Sequence, residues 1–326
     1  MNYQSIISIE NLYKAWEEFI CGKRQRKDVA IFSLNLSENI FDLHQDLLNK
    51  TYSHSDYQAF NISDPKPRNI HKASVRDRLL HHAIYRVLYP YFDKKFIHDS
   101  YSCRLNKGTH KALNRFRSFG YKISKNNTKT SWTLKCDMRK FFASIDHQIL
   151  LNILTKYIED KDTLNLLERV IESFNSSTEG KGLPLGNLTS QLLVNIYMNE
   201  FDHFVKHKLK IKYYIRYADD FVLLSPDKSG LTNTLGSMKV FLSEKLKLEL
   251  HPSKVSIKTL VSGVDFLGWI HFPTHRILRT ATKRRVLKNL KTNQSKETRA
   301  SYLGLLKHGD TYKIREQFLD LKEVLK

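Results

Sequence analysis

Hydrophobic positions follow a helical period through most of the first sixty residues. In "SIENLYKAWEEFI" apolar residues return at helical spacing behind Ser8, a suitable cap, so the segment reads as an amphipathic helix. The basic loop "GKRQRKD" separates it from a second such helix, "LSENIFDLHQDLLNKTY". "ISDPKPRNIHKA" is punctuated by proline and reads as extended. A helix is expected from about Ser74 through "VRDRLLHHAIYRVLYPYF", and another in "GTHKALNRFRSFG". "KISKNNTKT" reads as a loop.

The pattern then changes. "SWTLKCDM" alternates between faces and predicts a strand, while "DHQILLNILTKYI" returns to helical spacing. "FNSSTEGKG" reads as a flexible linker, and "NLTSQLLVNIYMNEFDHFVKHKL" as a long helix beginning near Asn187 or Thr189. "YIRYADDFVLLS" places a tight turn between two short apolar runs, the signature of a β-hairpin. A helix near residues 231–247 follows, then strands in "LHPSKVSIKT" and "VDFLGWIHF", and a helical tail from Arg279 to Lys326. This order predicts an α+β fold rather than a doubly wound one. No Gly-x-Gly-x-x-Gly or Walker A loop is present to cradle a phosphate.

Charge sharpens the picture more than composition does. The chain carries 54 Lys+Arg against 33 Asp+Glu, a net charge of +21, with the excess gathered in clusters within foldable sequence. A ribosomal-type or membrane-surface protein is also this basic, but clusters within foldable sequence favour a long polyanion, nucleic acid above all. Lys66, Arg68, His71, Lys72, Arg76 and Arg78 form one cluster, and the tail has 13 Lys/Arg against 5 Asp/Glu. No apolar run approaches the ~18 residues of a membrane span, and no membrane partner is expected. The N-terminus lacks the pattern of a signal peptide. Cys21, Cys103 and Cys136 lack metal-ligand spacing and fit a reducing compartment. His81, His82, His203 and His207 lie on amphipathic helices, where structural roles fit their spacing.

The chemistry is carried by "LKCDMRKFF" and "YADDFV", each with an aspartate at the end of an apolar strand, 82 residues apart. If the strands are neighbours, Asp137 and Asp219 form a carboxylate pair whose repulsion a hard divalent cation would offset. Mg²⁺ takes oxygen ligands and is commonly bound by one or two carboxylates plus substrate phosphates. Two such ions suit in-line phosphoryl displacement.

From about residue 62 to 285 the chain resembles reverse transcriptases of the group II intron-like and retron branch. "LKCDMRKFFASID" resembles the first acidic motif of the palm and "YADD" the Tyr-x-Asp-Asp box. "GLPLGNLTSQLLVNIYMNEFD" resembles the loop and helix between them, "LELHPSKVSI" the lysine motif, and "FLGW" the primer-grip hairpin. "PRNIHKASVRDRLLHHAI" and "SYSCRLNKGTHKAL" resemble the basic fingers motifs. The resemblance implies a right-hand polymerase with an N-terminal helical extension (1–61), fingers (62–130), a palm interleaved with part of the fingers (131–272) and a basic helical thumb (273–326).

The same resemblance implies RNA-directed DNA polymerase activity, with Asp137, Asp219 and Asp220 catalytic. These three, with the Met138 carbonyl, would bind two Mg²⁺ ions, for which Mn²⁺ would substitute; Asp220 is the less consistent direct ligand. Arg68, Lys72, Arg76, Arg78, Gly186, Gln191 and Lys254 are expected at the dNTP. Phe142 stands at the steric-gate position. Arg104, Lys107, Lys283, Arg284, Arg285, Lys288 and Lys291 are expected on nucleic acid, the partners being an RNA template and a DNA or RNA primer.

One departure narrows the class. Where most reverse transcriptases carry Gln-Gly-x-x-x-Ser-Pro, this chain reads "LGNLTSQ", with Leu185 for the Gln and Gln191 for the Pro. The variant resembles reverse transcriptases of diversity-generating retroelements and implies error-prone copying. It also implies a dedicated structured non-coding RNA, a small accessory protein and a cytoplasmic setting in a prokaryotic cell or encoded by a phage. Anti-phage defence reverse transcriptases, with template-independent or non-canonical priming, have similar palms and form the alternative.

Overall fold

The computed structural model describes residues 2–63, 67–292 and 295–316. Lys66 and residues 317–326 of the basic tail lie outside the described residues, as does the side chain of Lys291. In chain order the first elements are α1 (Tyr3–Ile7), α2 (Ile9–Ile20), α3 (Lys27–Leu34), α4 (Leu36–Leu48), β1 (Gln58–Ile62), β2 (Arg68–Lys72), α5 (Val75–Asp93) and α6 (Thr109–Ile123). The middle of the chain forms β3 (Trp132–Asp137), α7 (His147–Leu154), α8 (Lys161–Glu172), α9 (Leu188–His203), β4 (Tyr214–Tyr217), β5 (Asp220–Ser225) and α10 (Lys228–Leu246). The last elements are β6 (Ser256–Thr259), β7 (Val264–Phe266), β8 (Trp269–His271), β9 (Arg276–Leu278), α11 (Thr280–Thr292) and α12 (Lys296–Leu306).

The chain divides into two compact units, the first built from residues 1–98, 138–208 and 239–249, the second from 99–137, 209–238 and 250–326. In the first unit, α5 is flanked by α2 and α9. The Ser8 Oγ accepts from the Asn11 N–H and starts α2 as expected. Ser74 caps α5 in the same way, accepting from the Asp77 N–H. Asp77 is itself fully buried, and its carboxylate accepts from Tyr52 Oη at 2.8 Å, Ser74 Oγ at 2.6 Å and the Ser55 N–H at 3.2 Å. Such bonding makes burial of that carboxylate tolerable. The later part of the proline-punctuated segment is extended as expected, forming β2, which pairs antiparallel with β1.

"FNSSTEGKG" is not a flexible linker. Its backbone closes on itself through the Ser176 N–H to the Lys181 carbonyl (2.7 Å), and the His147 N–H bonds the Gly180 carbonyl (3.0 Å). Gly182 has φ +108°, and a Cβ there would stand 2.8 Å from Ser176 Cβ, so glycine is what lets the loop fold this tightly. Composition suggested mobility, but local hydrogen bonds fix the segment.

The second unit holds an antiparallel sheet of order β4-β5-β3-β6 and a smaller sheet β7-β8-β9. Phe116, Phe119, Val222, Leu224, Phe266 and Trp269 are buried in its core with α6 and the later helices. Each such side chain contributes roughly 1.5–3 kcal/mol by burial. Through Val222 and Leu224 this core holds β5, the strand that begins at Asp220 and pairs with β3.

Candidate active site

Strands β3 and β5 are neighbours, in a register that runs from Trp132↔Ser225 to Asp137↔Asp220. Residues directly opposite in an antiparallel pair share a face, so Asp137 and Asp220 project from the same side of the sheet. Lys135, two positions before Asp137, joins them there and puts its Nζ 3.7 Å from Asp220 Oδ1. Burial raises the Asp220 pKa to about 6; Lys135 offsets part of the rise, and Asp137, Asp219 and Asp265 add to it.

Asp219 occupies the two-residue turn between β4 and β5, whose closing pair is Tyr217↔Asp220. The preceding residue, Ala218, has φ +54°, a conformation that costs a non-glycine residue on the order of 1 kcal/mol or more. A fully buried arginine supports that turn. Arg216 donates from Nη1 to the Ala218 carbonyl and from Nη2 to Ser100 Oγ, both at 3.2 Å. Its backbone is held by the Asp99 carbonyl and the Tyr101 N–H, both at 3.0 Å.

Lys254 reaches Asp137. The His251 N–H bonds the Asp137 carbonyl at 2.8 Å, and a 3-10 turn over Pro252–Lys254 follows. That turn sets Lys254 Nζ 2.9 Å from Asp137 Oδ1.

The donor set suits a hard divalent cation: carboxylate oxygens on one face, one of them, Asp220 Oδ1, buried and without a hydrogen-bond partner. Among the described residues no three His, Cys, Asp or Glu side chains are gathered closely enough to hold a metal alone. Water and substrate oxygens would complete the shell, as is common for Mg²⁺.

The first unit gathers several residues expected at the dNTP. Lys72, Arg78, Gly186 and Gln191 line one cavity of about 400 Å³ together with Phe19, Lys23 and His81. Gly186 has φ +108°, and a Cβ there would lie 2.9 Å from Ile70 Cγ2. The loop is tied to β2 by the His71 N–H to the Leu185 carbonyl and by Asn187 Nδ2 to the His71 carbonyl, both at 3.0 Å. The cations are paired with carboxylates of the N-terminal helices. Lys72 Nζ lies 2.7 Å from Asp28 Oδ2, Arg78 bonds the same oxygen, and Arg76 bonds Asp46. Burial opposes ionisation of Asp28, but the hydrogen bonds from Lys72 and Arg78 outweigh it and lower its pKa to about 2. Arg68 is exposed on β2. Phe142 is half-buried, its ring edge-on to the buried Phe141 at 5.6 Å.

Of the cations expected on nucleic acid, Lys283, Arg284 and Lys288 are exposed on α11, while Val286 and Leu290 turn into the core. Arg285 is half-buried. Arg104 donates to the Ser100 carbonyl at 3.0 Å, and Lys107 Nζ lies 5.2 Å from the centre of the Tyr101 ring.

Residues 61–271 match the family described as reverse transcriptase (RNA-dependent DNA polymerase). The chain belongs to that reverse transcriptase family. Protein YkfC of Escherichia coli (strain K12) is 25% identical over 287 residues, covering 75% of this chain and 72% of YkfC. The group II intron-encoded protein LtrA of Lactococcus lactis subsp. cremoris is 23% identical over 303 residues, covering 71% of this chain and 49% of LtrA. Among solved structures, apo telomerase from Candida Tropicalis, truncated from its C-terminal domain, superposes with a TM-score of 0.51 at 12% identity, over 73% of this chain and 59% of that one. The reverse transcriptase thus has the expected right-hand polymerase fold, and by family it is an RNA-directed DNA polymerase.

Sequence reasoning about this reverse transcriptase missed Arg216, although an arginine inside the apolar run "YIRY" was a visible signal. It also missed Asp28 and Asp46, which no local pattern links to cations 50 and 30 residues further along the chain.

Proposed function

We propose that this reverse transcriptase copies an RNA template into cDNA by two-metal nucleotidyl transfer, with low fidelity, as part of a diversity-generating retroelement. The observation that carries the catalytic part is the β3–β5 register, which sets Asp137 opposite Asp220 with Asp219 in the adjoining turn. These carboxylates, with the Met138 carbonyl, would hold two Mg²⁺ or Mn²⁺ ions. When bound, the ions would activate the primer hydroxyl and offset charge on the leaving oxygen. Lys254 would hold the Asp137 carboxylate in place through the contact it already makes.

Lys72, Arg78, Gly186 and Gln191 are the proposed triphosphate contacts, joined by Arg68 and Arg76, since cationic groups favour developing phosphate charge. The Phe142 ring would exclude a ribose 2′-hydroxyl. Leu185, half-buried where most of the family has a Gln, removes a polar contact and relaxes base selection. Arg104, Lys107, Lys283, Arg284, Arg285 and Lys288 would bind template and primer phosphates, with a salt-dependent affinity. A structured non-coding RNA, a small accessory protein and a cytoplasmic setting complete this reading.

Primer extension on an RNA template, run beside a reaction lacking template, tests it. Template-dependent dNTP incorporation, with errors opposite template adenine that fall in Leu185→Gln, is the expected result. Template-independent addition or an unchanged error spectrum would count against it.

A further inference from the structure

A second cavity lies wholly within the second unit and shares no residue with the acidic site. It has a volume of about 350 Å³ and lies beside the β8–β9 turn and the turn at residues 307–310. Arg117, His271, His275, Arg276, Lys307 and His308 line it, with one carboxylate, that of Asp310, which is exposed. The walls are built rather than incidental. Arg276 Nε donates to the His308 carbonyl, its Nη2 to Asn114 Oδ1 at 3.2 Å, and the Asp310 N–H bonds the Arg276 carbonyl at 2.8 Å. A Cβ on Gly309 would run into the Trp269 ring, so only glycine admits this approach.

Two polar atoms of these lining residues are buried without a hydrogen-bond partner: Arg276 Nη1 and His271 Nε2. His271 is only 2% exposed. Buried polar groups are nearly always paired, and an orphan calls for a ligand or water. Arg276 Nη1 is an obligate donor suited to an anionic oxygen. Nε2 is the unpartnered nitrogen of the His271 ring, and with the ring proton on Nδ1 it offers a lone pair and takes a hydrogen bond. A phosphate bearing a P–OH meets both needs, accepting from arginine and donating to imidazole, and its charge suits the cationic lining. A phosphomonoester or inorganic phosphate, with its second pKa near 6, carries that proton in part at neutral pH; an internal phosphodiester has none.

The geometry points to this cavity as a binding site for a phosphate monoester or free phosphate, held by Arg276 and His271, with Lys307 and Arg117 adding charge at the rim. The phosphate would come from the end of a nucleic-acid strand or from a free anion such as pyrophosphate.

The full chain, labelled with ¹⁵N in its histidines, is titrated at fixed ionic strength with inorganic phosphate, pyrophosphate, and a short RNA ending in a 5′-phosphate or a 5′-hydroxyl. His271→Gln assigns the His271 resonance, and calorimetry supplies affinities. A saturable His271 shift with the free anions identifies a small-anion site, and a shift confined to 5′-phosphorylated RNA identifies a strand-end site. Either affinity should fall about tenfold in Arg276→Gln and about threefold in the exposed Lys307→Gln, with Lys122→Gln unchanged as the control for general basicity. Thermal melts confirm folding of each variant, and the exposed Lys307 change keeps the test valid if Arg276→Gln unfolds. No His271 shift with any probe, equal affinity for the two RNAs without free-anion binding, or loss of affinity equal in Lys122→Gln would overturn the proposal.

Discussion

Asp137 and Asp220 are direct cross-strand partners, and Asp220 Oδ1 is buried without a hydrogen bond while Lys254 Nζ sits 2.9 Å from Asp137 Oδ1. The two carboxylates therefore differ in kind: Asp137 accepts a hydrogen bond from Lys254, while Asp220 has only the longer 3.7 Å ion pair with Lys135 and is held partly desolvated at a cost in stability.

That cost is measurable. The folded pKa of Asp220, about 6, lies above the unfolded value. Its contribution is fully present below the unfolded value near 4 and is lost as pH rises through about 6. Asp220→Asn should therefore raise stability at pH 7.5 by about 1–2 kcal/mol, read from urea midpoints, while reducing dNTP incorporation. A variant less stable than the parent at that pH would contradict the assignment.

The buried histidines act in the opposite direction. Burial lowers His81 and His271 to about 3 and His82 to about 4, with neighbouring charges adding to each shift. The unfolded chain binds protons below about 6.5 that the folded chain refuses, so stability falls as pH drops from 6.5 toward 4. Three such groups outweigh the single Asp220. Urea midpoints should fall from pH 7 to pH 5, more steeply in Asp220→Asn and less steeply in His82→Asn.

Glycine substitutions separate backbone need from open space. Gly186→Ala places a Cβ 2.9 Å from Ile70 Cγ2 at φ +108° and should cost about 1–3 kcal/mol. Gly236, inside α10, has open space where a methyl group would stand. Gly236→Ala should stabilise by about 0.5–1 kcal/mol. Thermal melts of the two variants should move in opposite directions.

Lys254 should matter to activity more than to stability. Its side chain is 45% exposed, and ion pairs so open to water contribute at most about 1 kcal/mol. Lys254→Met should leave the melting temperature nearly unchanged and lower the rate of incorporation at saturating dNTP. A large melting shift with normal rates would show the contact to be structural instead.

The strands and helices that position the aspartates were legible because each is a local pattern. "SWTLKCDM" became β3, Ser8 became a cap, the helix expected from about Ser74 became α5, and the turn in "YADD" stands between β4 and β5. Register was not legible, since the alternation in either strand allows several pairings, and only the folded sheet sets Asp220 rather than Asp219 opposite Asp137. The short strand β9 was also missed, because three residues carry too little periodicity. Pairings such as Arg78 with Asp28 depend on tertiary packing, which charge patterning along the chain does not encode.

The most direct test of the central claim is incorporation of dNTPs on a primed RNA template by Asp219→Asn in the presence of Mg²⁺. The account predicts no detectable extension, with circular dichroism and melting close to the parent. Full extension by that variant would contradict it.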